Sequence, residues 1–447
     1  MSSLYASDVY DRTHPIDSYW QSTVDSLDEG FTPLGGTDTC DIAIIGAGIT
    51  GLTAALHLVR EYGADVRVIE AGHPGWGASG RNGGFCCVGS TKLSDSELLQ
   101  KFGHAETRRF YHAQRQGTEL VQSLASQENI DIEAQGSGEI RVAHRQSRWQ
   151  MLNDEYDFLT NVAQYPCELW SRSDLADQGF QSADAHAALR VGVGFGLNPL
   201  KYSLGLAAAV HRRGGVIYAR SPVEVWEKTS AWHQLHTPGG TLNARHVIIA
   251  TNGYTQDSLH HRLGDRLLPI LSSIIVTRPL TQTERHNQGW HTETPIYDTR
   301  HLLFYYRLLP DGRCLFGSRV GTRGTFQERD RHRQWMIHRF ADMFPAWRDV
   351  EITHSWDGLI CVSAALTPHI GHLPDDSTVF YSLAYHGNGV AAATWCGQLV
   401  ARLAVGDIQP DQLCAVYKQP LKKFVLPALR IWYLRSLYTA YQVKDSI

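Results

Sequence analysis

The stretch Gly46-Ala-Gly48-Ile-Thr-Gly51 constrains this chain more than any other. It follows Cys40-Asp-Ile-Ala-Ile-Ile, a short apolar run that suits a buried parallel strand, and it opens a helical pattern from Ile49 to Tyr62. A second strand, Val66-Arg-Val-Ile-Glu70, completes a βαβ unit. In such a unit the first glycine allows the tight turn and the second lets a pyrophosphate approach the backbone. The third lets helix and strand pack closely, while the helix N-terminus offers free N–H groups to the phosphates. Glu70, 19 residues after Gly51, is placed to accept hydrogen bonds from a ribose diol, and an acid there disfavours a 2′-phosphate and hence NADP. Dinucleotide contacts are therefore expected at Gly46, Gly48, Ile49, Thr50, Gly51, Glu70 and Ala71.

A second glycine-rich stretch, Gly77-Ala-Ser-Gly-Arg-Asn-Gly-Gly84, follows almost at once. Through Ala78, Ser79, Arg81, Asn82, Gly83 and Gly84 it can wrap a second phosphate and reach a ribityl chain and a flavin, which favours FAD over NAD; its alternative is a surface loop. Far along the chain, Tyr385-His-Gly387-Asn-Gly-Val390 joins a strand to a helix. The amides of Gly387, Asn388, Gly389 and Val390 can point at the flavin N1–C2=O edge. Reduction places negative charge there, and a helix N-terminus stabilises it by roughly 0.3–2 kcal/mol.

Composition narrows the partners. The 447 residues carry 41 basic and 45 acidic side chains, a net charge of −4, so there is no basic excess for nucleic acid. Eight cysteines form no CxxC pair, and Cys86–Cys87 are vicinal, which points to reduced thiols in a cytoplasmic protein. Of the 22 histidines, His369 and His372 are three apart and His260–His261 adjacent, but no set has zinc spacing and no metal site is expected. The first residues lack the basic-then-apolar order of a signal peptide, and glycines and polar residues argue against Asp41 to Val59 as a membrane span.

The remaining pattern interleaves α/β pieces with other material. Helix dominates 95–163, broken by the strand-like Gly138-Glu-Ile-Arg-Val-Ala, and an α-to-β step occupies 203–220. Thr241–Thr251 reads as a strand pair, and Pro310-Asp-Gly-Arg marks a hairpin between Phe304-Tyr-Tyr-Arg-Leu and Cys314-Leu-Phe-Gly. A charged amphipathic helix is expected at 326–343, a last strand at Val379-Phe-Tyr-Ser-Leu-Ala, a helix at Gly389–Val405 and a helical, aromatic tail packed on the body at 411–447. The expected fold is α/β: a three-layer Rossmann-like FAD-binding domain with an inserted α+β substrate domain of mixed sheet plus helices. The expected boundaries are an N-terminal arm over 1–38, the FAD-binding domain over 39–92, 191–262 and 355–410, the substrate domain over 93–190 and 263–354, and the tail over 411–447.

Further motifs carry a resemblance. Trp356-Asp-Gly358, Thr367-Pro-His-Ile-Gly371, Tyr305-Tyr-Arg307, Val223 after Ser221-Pro222, and Ala250-Thr-Asn-Gly253 join the GASGRNGG and YHGNGV stretches. Together they resemble the D-amino-acid oxidase/glycine oxidase superfamily of FAD enzymes, and most nearly its gamma-glutamylputrescine oxidase branch, over nearly the whole chain. The resemblance implies that the Val223 backbone meets the adenine and that Ala250, Thr251 and Asn252 close the cofactor domain. The chain departs from these relatives at Asn388, where they usually have His, and at His386, where they have a small residue. The histidine contact is thus moved by two positions or lost. Sarcosine-oxidase relatives attach flavin through a cysteine slightly before a Thr-Pro pair. Cys361 precedes Thr367-Pro368 by one residue too many, so FAD is expected to bind noncovalently and Cys361 to be a buried structural thiol. Cys86 and Cys87 are assigned no role.

The resemblance implies an oxidase of amines: hydride passes from the amine carbon to flavin N5, oxygen is the acceptor, and the products are an aldehyde or keto acid, ammonia and hydrogen peroxide. A gamma-glutamylputrescine-like amine is the expected substrate. The amine must be neutral to react, and an apolar, aromatic wall disfavours its ammonium form. Tyr305 or Tyr306, Trp356, and Tyr385 or His386 are candidates for that wall, with Tyr306, Trp356 and His386 favoured. Arg307 is a candidate clamp for a substrate carboxylate, or a structural arginine, and Arg319 a candidate cation over the flavin, or an exposed strand arginine. The alternatives are a D-amino-acid or N-methyl-amino-acid oxidase or dehydrogenase of the same fold and, with no second GxGxxG to support it, a flavin monooxygenase.

Overall fold

The computed structural model describes residues 4–27, 30–319 and 321–446. β1 (Gly36–Ile45), α1 (Ile49–Tyr62) and β2 (Val66–Ile69) form the βαβ unit. The strands are parallel with Ile44 opposite Val68, and Ile42, Ile44, Val66 and Val68 are buried. The sheet grows on both sides. Val216–Tyr218 adds parallel to β2, Gly240–Ile249 adds parallel to β1, and Asp376–Leu383 adds parallel to Gly240–Ile249, with His369–Leu373 at the edge.

One face of this sheet is covered by α1, Pro199–Arg212 and Gly389–Ala404, whose Leu52, Leu206 and Val400 share a core with Ile44 and Val68. Over the other face lies the hairpin of Val225–Lys228 and His233–Thr237, so the unit has three layers. The strand pair expected within Thr241–Thr251 is instead one long strand. Its hairpin partner is His233–Thr237, and the turn falls at Pro238-Gly239, between the paired Thr237 and Gly240. A Pro-Gly dipeptide is a turn signal, and here it outweighs the apolar pattern downstream.

A second eight-stranded sheet runs in the order Ile352–Ser363, Leu267–Thr277, Cys314–Arg319, Phe304–Leu308, Ile296–Asp298, Glu139–Ala143, Ala187–Val191, Cys167–Ser171. It is mixed, because Ile296–Asp298 pairs parallel with Glu139–Ala143 and the other neighbours pair antiparallel. Ile352–Ser363, placed from residue 355 in the first unit by sequence, is bonded along its length to Leu267–Thr277 of this second sheet. The helix Phe326–Met343 sets Met336, Phe340 and Met343 on an aromatic core of Phe304, Tyr306, Phe316, Trp290 and Trp347.

Both termini pack across the body. Trp20, fully buried, donates its indole N–H to the Asn82 carbonyl at 2.8 Å, and Tyr5 donates to the Pro269 carbonyl at 3.0 Å. The tail differs from a helix over 411–447. After a short turn, Pro410–Gln412, it runs without helix to Leu426, and only Arg430–Ser446 is α-helical. Pro420 and Pro427 account for this, since each removes an N–H and pushes the residue before it out of the helical region.

Candidate active site

A cavity of about 1200 Å³ runs between the two sheets, and the β1–α1 turn forms one wall. Gly46 has φ +106°, and a Cβ there would lie 3.0 Å from the Ala250 carbonyl oxygen. A Cβ on Gly48 would lie 2.7 Å from Ser79 Oγ, and one on Gly51 would overlap the Gly46 carbonyl oxygen. No side chain caps α1 at Gly48; the Ile49 N–H donates to Ser79 Oγ at 2.9 Å. The helix N-terminus thus faces the cavity with its positive end uncovered by any carboxylate cap.

Glu70 closes the loop from below. Its carboxylate accepts from the Ala47 N–H at 2.7 Å and the Gly72 N–H at 2.8 Å, while burial pushes its pKa up against these bonds. Ala71 and Val223 line the same end of the cavity. The second glycine-rich stretch is held by its own polar groups: the Asn82 amide donates to the Ala78 and Ser79 carbonyls and accepts from the Gly84 N–H at 2.8 Å. Arg81 lies over the Trp76 ring at 4.3 Å and donates to the Trp76 carbonyl, leaving Nη2 buried without a partner. Ala78, Ser79, Arg81, Asn82 and Gly83 line the cavity, as do Gly46, Gly48, Ile49 and Thr50; Gly51 and Gly84 lie behind its wall. Ala250, Thr251 and Asn252 line it too, and Asn252 Oδ1 accepts from the Ala384 N–H at 2.8 Å.

The Gly387-Asn-Gly-Val390 turn closes the far side of this wall. Asn388 is not aimed at the cavity through its amide N–H groups, which donate to the Val88 and Gly89 carbonyls. His386 lines the cavity with φ +56°, fully buried, and both ring nitrogens lack a hydrogen-bond partner. Burial holds its pKa well below the ordinary histidine value, helped by Lys92, His369 and Arg319, so the imidazole is neutral at pH 7.

Three residues expected at the reacting carbon lie elsewhere. Tyr306 points away from the cavity into the aromatic core, stacked on Phe180 at 5.7 Å and on Phe316 at 6.0 Å. Tyr305 is the one that lines the cavity, because neighbours in a strand face opposite sides. Arg307 shares the Tyr305 side but reaches past the cavity, where it donates to the Leu197 carbonyl at 2.7 Å and lies over Trp20 at 5.6 Å. The absent side chain of Gly196 makes room for it. Trp356 donates its indole N–H to the Arg81 carbonyl at 2.7 Å and buttresses the glycine-rich turn from behind.

Other residues complete the chamber beyond the turn. Arg319 donates to the His386 carbonyl at 3.4 Å, and Lys92 points into the cavity; among the described residues neither has a carboxylate partner. The Lys92 amine is pulled well below the usual lysine range, chiefly by burial and then by Arg319 and Arg141. Glu139 faces the chamber with one carboxyl oxygen unpartnered, and burial pushes its pKa up to about 8. Arg141, paired with Glu155, stands beside it. Cys361 lines the wall, its thiol pushed up by burial. One signal for Glu139 and Arg141 was present in the sequence: they alternate with Ile140 and Val142, so both charges share one strand face. Nothing local marks Lys92.

These features fit a dinucleotide that carries a flavin. Glycines leave the backbone open where the pyrophosphate would pass, an uncapped helix N-terminus faces it, and a buried acid stands at the end of β2. The cavity then continues into a second chamber large enough for a ring system and a small substrate.

The family model for FAD dependent oxidoreductases matches residues 41–403. The chain is 28% identical over 403 residues to gamma-glutamylputrescine oxidoreductase of Escherichia coli, covering 89% of this chain and 91% of that protein. It is 30% identical over 395 residues to the probable oxidoreductase OrdL of Rhizobium meliloti, covering 87% and 89%. Among solved structures, glycine oxidase from Geobacillus kaustophilus superposes with a TM-score of 0.70 at 21% identity, over 87% of this chain and 99% of that one. With the fingerprint, the cavity and a family match over most of its length, the chain belongs to the FAD-dependent oxidoreductase family.

Proposed function

We propose that the protein is an amine oxidase that binds FAD noncovalently and acts on gamma-glutamylputrescine or a similar amine. The overall reaction converts R–CH₂–NH₂, O₂ and H₂O into R–CHO, NH₃ and H₂O₂. Bound FAD supplies the two-electron acceptor for the hydride of the amine carbon. The chain's residues prepare the amine. One observation carries this reading: the chamber is walled by the rings of Tyr305 and Phe85 and by the neutral imidazole of His386, with Arg319 and Arg141 lining it as well. An apolar wall and nearby guanidinium groups act on a substrate amine and favour its reactive free base. Tyr305 and Phe85, whose rings meet edge-to-face at 5.6 Å, supply an aromatic wall that excludes water and positions the carbon. Neutral His386 brings ring nitrogens that can donate and accept without adding charge.

A second reading rests on Arg319, which faces the chamber without a carboxylate partner among the described residues and suits an amino acid whose carboxylate it would hold, with the Lys92 amine nearby as a further donor. Anaerobic addition of substrates to the yellow holoenzyme separates the two. Fast bleaching by gamma-glutamylputrescine, with putrescine and amino acids slow, and peroxide released on admitting air, is the expected result. Bleaching by D-amino acids or sarcosine alone selects the second reading, and bleaching without peroxide removes oxygen as the acceptor. Acid precipitation is expected to leave the yellow colour in the supernatant; a yellow pellet would mean a covalent flavin.

A further inference from the structure

Fourteen large apolar side chains stand exposed on the described surface, and seven of them fall within 19 residues: Val425, Leu426, Leu429, Trp432, Tyr433, Leu437 and Val443. Their spacing is mostly helical, so from the turn before the C-terminal helix onward they form one outward stripe. The opposite face of that helix is satisfied, with Ile431 and Leu434 buried against Leu271 and Leu359. The stripe is therefore left over after the fold has been made. The charge around it leans basic. Residues 418–446 hold six basic side chains against one acid, in a chain whose net charge is −4; Arg430 is buried on Asp257 and Lys423 stands 3.5 Å from Asp265, which leaves Lys418, Lys422, Arg435 and Lys444 as the excess. Lys418, Lys422, Lys423 and Lys444 are exposed, and Arg435 lies over the Trp432 ring at 4.8 Å.

Aromatic and aliphatic side chains ringed by lysines match the boundary between headgroups and acyl chains of an anionic bilayer. No helix among the described residues is long and apolar enough to cross a membrane, so the match is to a surface. A second copy of this chain fits poorly, because a two-fold contact would set the lysines of this stripe against their own equivalents. We propose that the C-terminal stripe docks the enzyme on anionic lipid surfaces. The same helix borders the cavity: Tyr441 lines it and stacks on His301 at 4.8 Å, and the Asp445 carboxylate accepts from the His301 and Leu302 amides at 2.9 and 3.0 Å. Docking holds the cavity wall about one helix diameter, roughly 10 Å, from the lipid.

Flotation of the holoenzyme with vesicles tests this, using equal parts phosphatidylglycerol and phosphatidylcholine against phosphatidylcholine alone. The protein is expected to float with the anionic vesicles and to be released by salt. Trp432→Ser with Leu437→Ser is expected to lower the partition coefficient by roughly tenfold or more. Lys422→Glu with Lys423→Glu is expected to lower it roughly fivefold per lysine on anionic vesicles only. All four positions are exposed, so melting temperature and flavin content should stay at wild-type values, and amine oxidation in buffer is a separate readout that does not bear on the docking. Wild-type protein left below the vesicles at low salt overturns the proposal, as does equal partition of the variants. A dimer seen by light scattering and dissolved by Trp432→Ser overturns it too, by giving the stripe to a second copy.

Discussion

Within Phe304–Leu308 a shift of one residue decides whether a tyrosine meets substrate or core. The alternation of the strand was legible: Tyr305 goes with Arg307, and Tyr306 with Phe304 and Leu308. The phase was not, because it depends on which face of the distant second sheet lies against the cofactor domain. Arg307 shows a further limit, since its side chain is long enough to leave the face its Cβ occupies and settle on Leu197 and Trp20. The two tyrosines should therefore separate cleanly. Tyr306→Ala removes a buried ring and should cost about 3–5 kcal/mol of stability by thermal or urea unfolding, with flavin reduction per folded molecule unchanged. Tyr305→Ala should leave stability close to wild type and raise the amine concentration needed for half-maximal bleaching by roughly tenfold. The reverse pattern would put Tyr306 in the chamber.

Among the elements, the cofactor wall was the most readable because its determinants are local. Turn, helix start and close packing each demand a particular residue within a few positions, and α1 begins at Ile49 and ends at Tyr62 as its pattern predicts. The chamber wall was less readable, since Lys92, Glu139 and Arg319 come from a loop and two strands that only the finished sheet brings together. The tail departs from its expected helix for a different reason: Pro420 and Pro427 break the helical pattern before Arg430, and beyond them one face packs on the body while the other stays exposed. At this scale Gly51→Ala is the telling variant. Its methyl would overlap the Gly46 carbonyl oxygen and press on Ile44, forcing α1 off β1. Purified protein should carry much less flavin per chain and lose about 1–3 kcal/mol of stability; full flavin content with an unchanged melt would refute the close packing.

For the whole molecule, buried titratable groups write a pH dependence into folding. Glu139 keeps its proton up to about pH 8 in the folded chain, whereas the unfolded chain releases it near the ordinary value of about 4.3. The folded state then binds more protons across that window, so this group lowers stability as pH rises from about 4.3 to 8 and no further above it. His386 acts with the opposite sign. Its folded pKa lies well below that of the unfolded chain, about 6.5, so stability falls as pH drops below that value. Glu139→Gln should remove this decline between about pH 4.3 and 8, an amount on the order of a few kcal/mol, and leave the loss of stability due to His386 at lower pH in place. A decline across that window identical to wild type would show that Glu139 ionises freely.

The burial of Trp20 bears on the order in which the molecule can be built. Its pocket is assembled from Asn82, Arg307 and Trp356, so the indole has nowhere to go until most of the chain has left the ribosome. A segment synthesised before either sheet is thus among the last to dock, and its docking records that both sheets have already found one another.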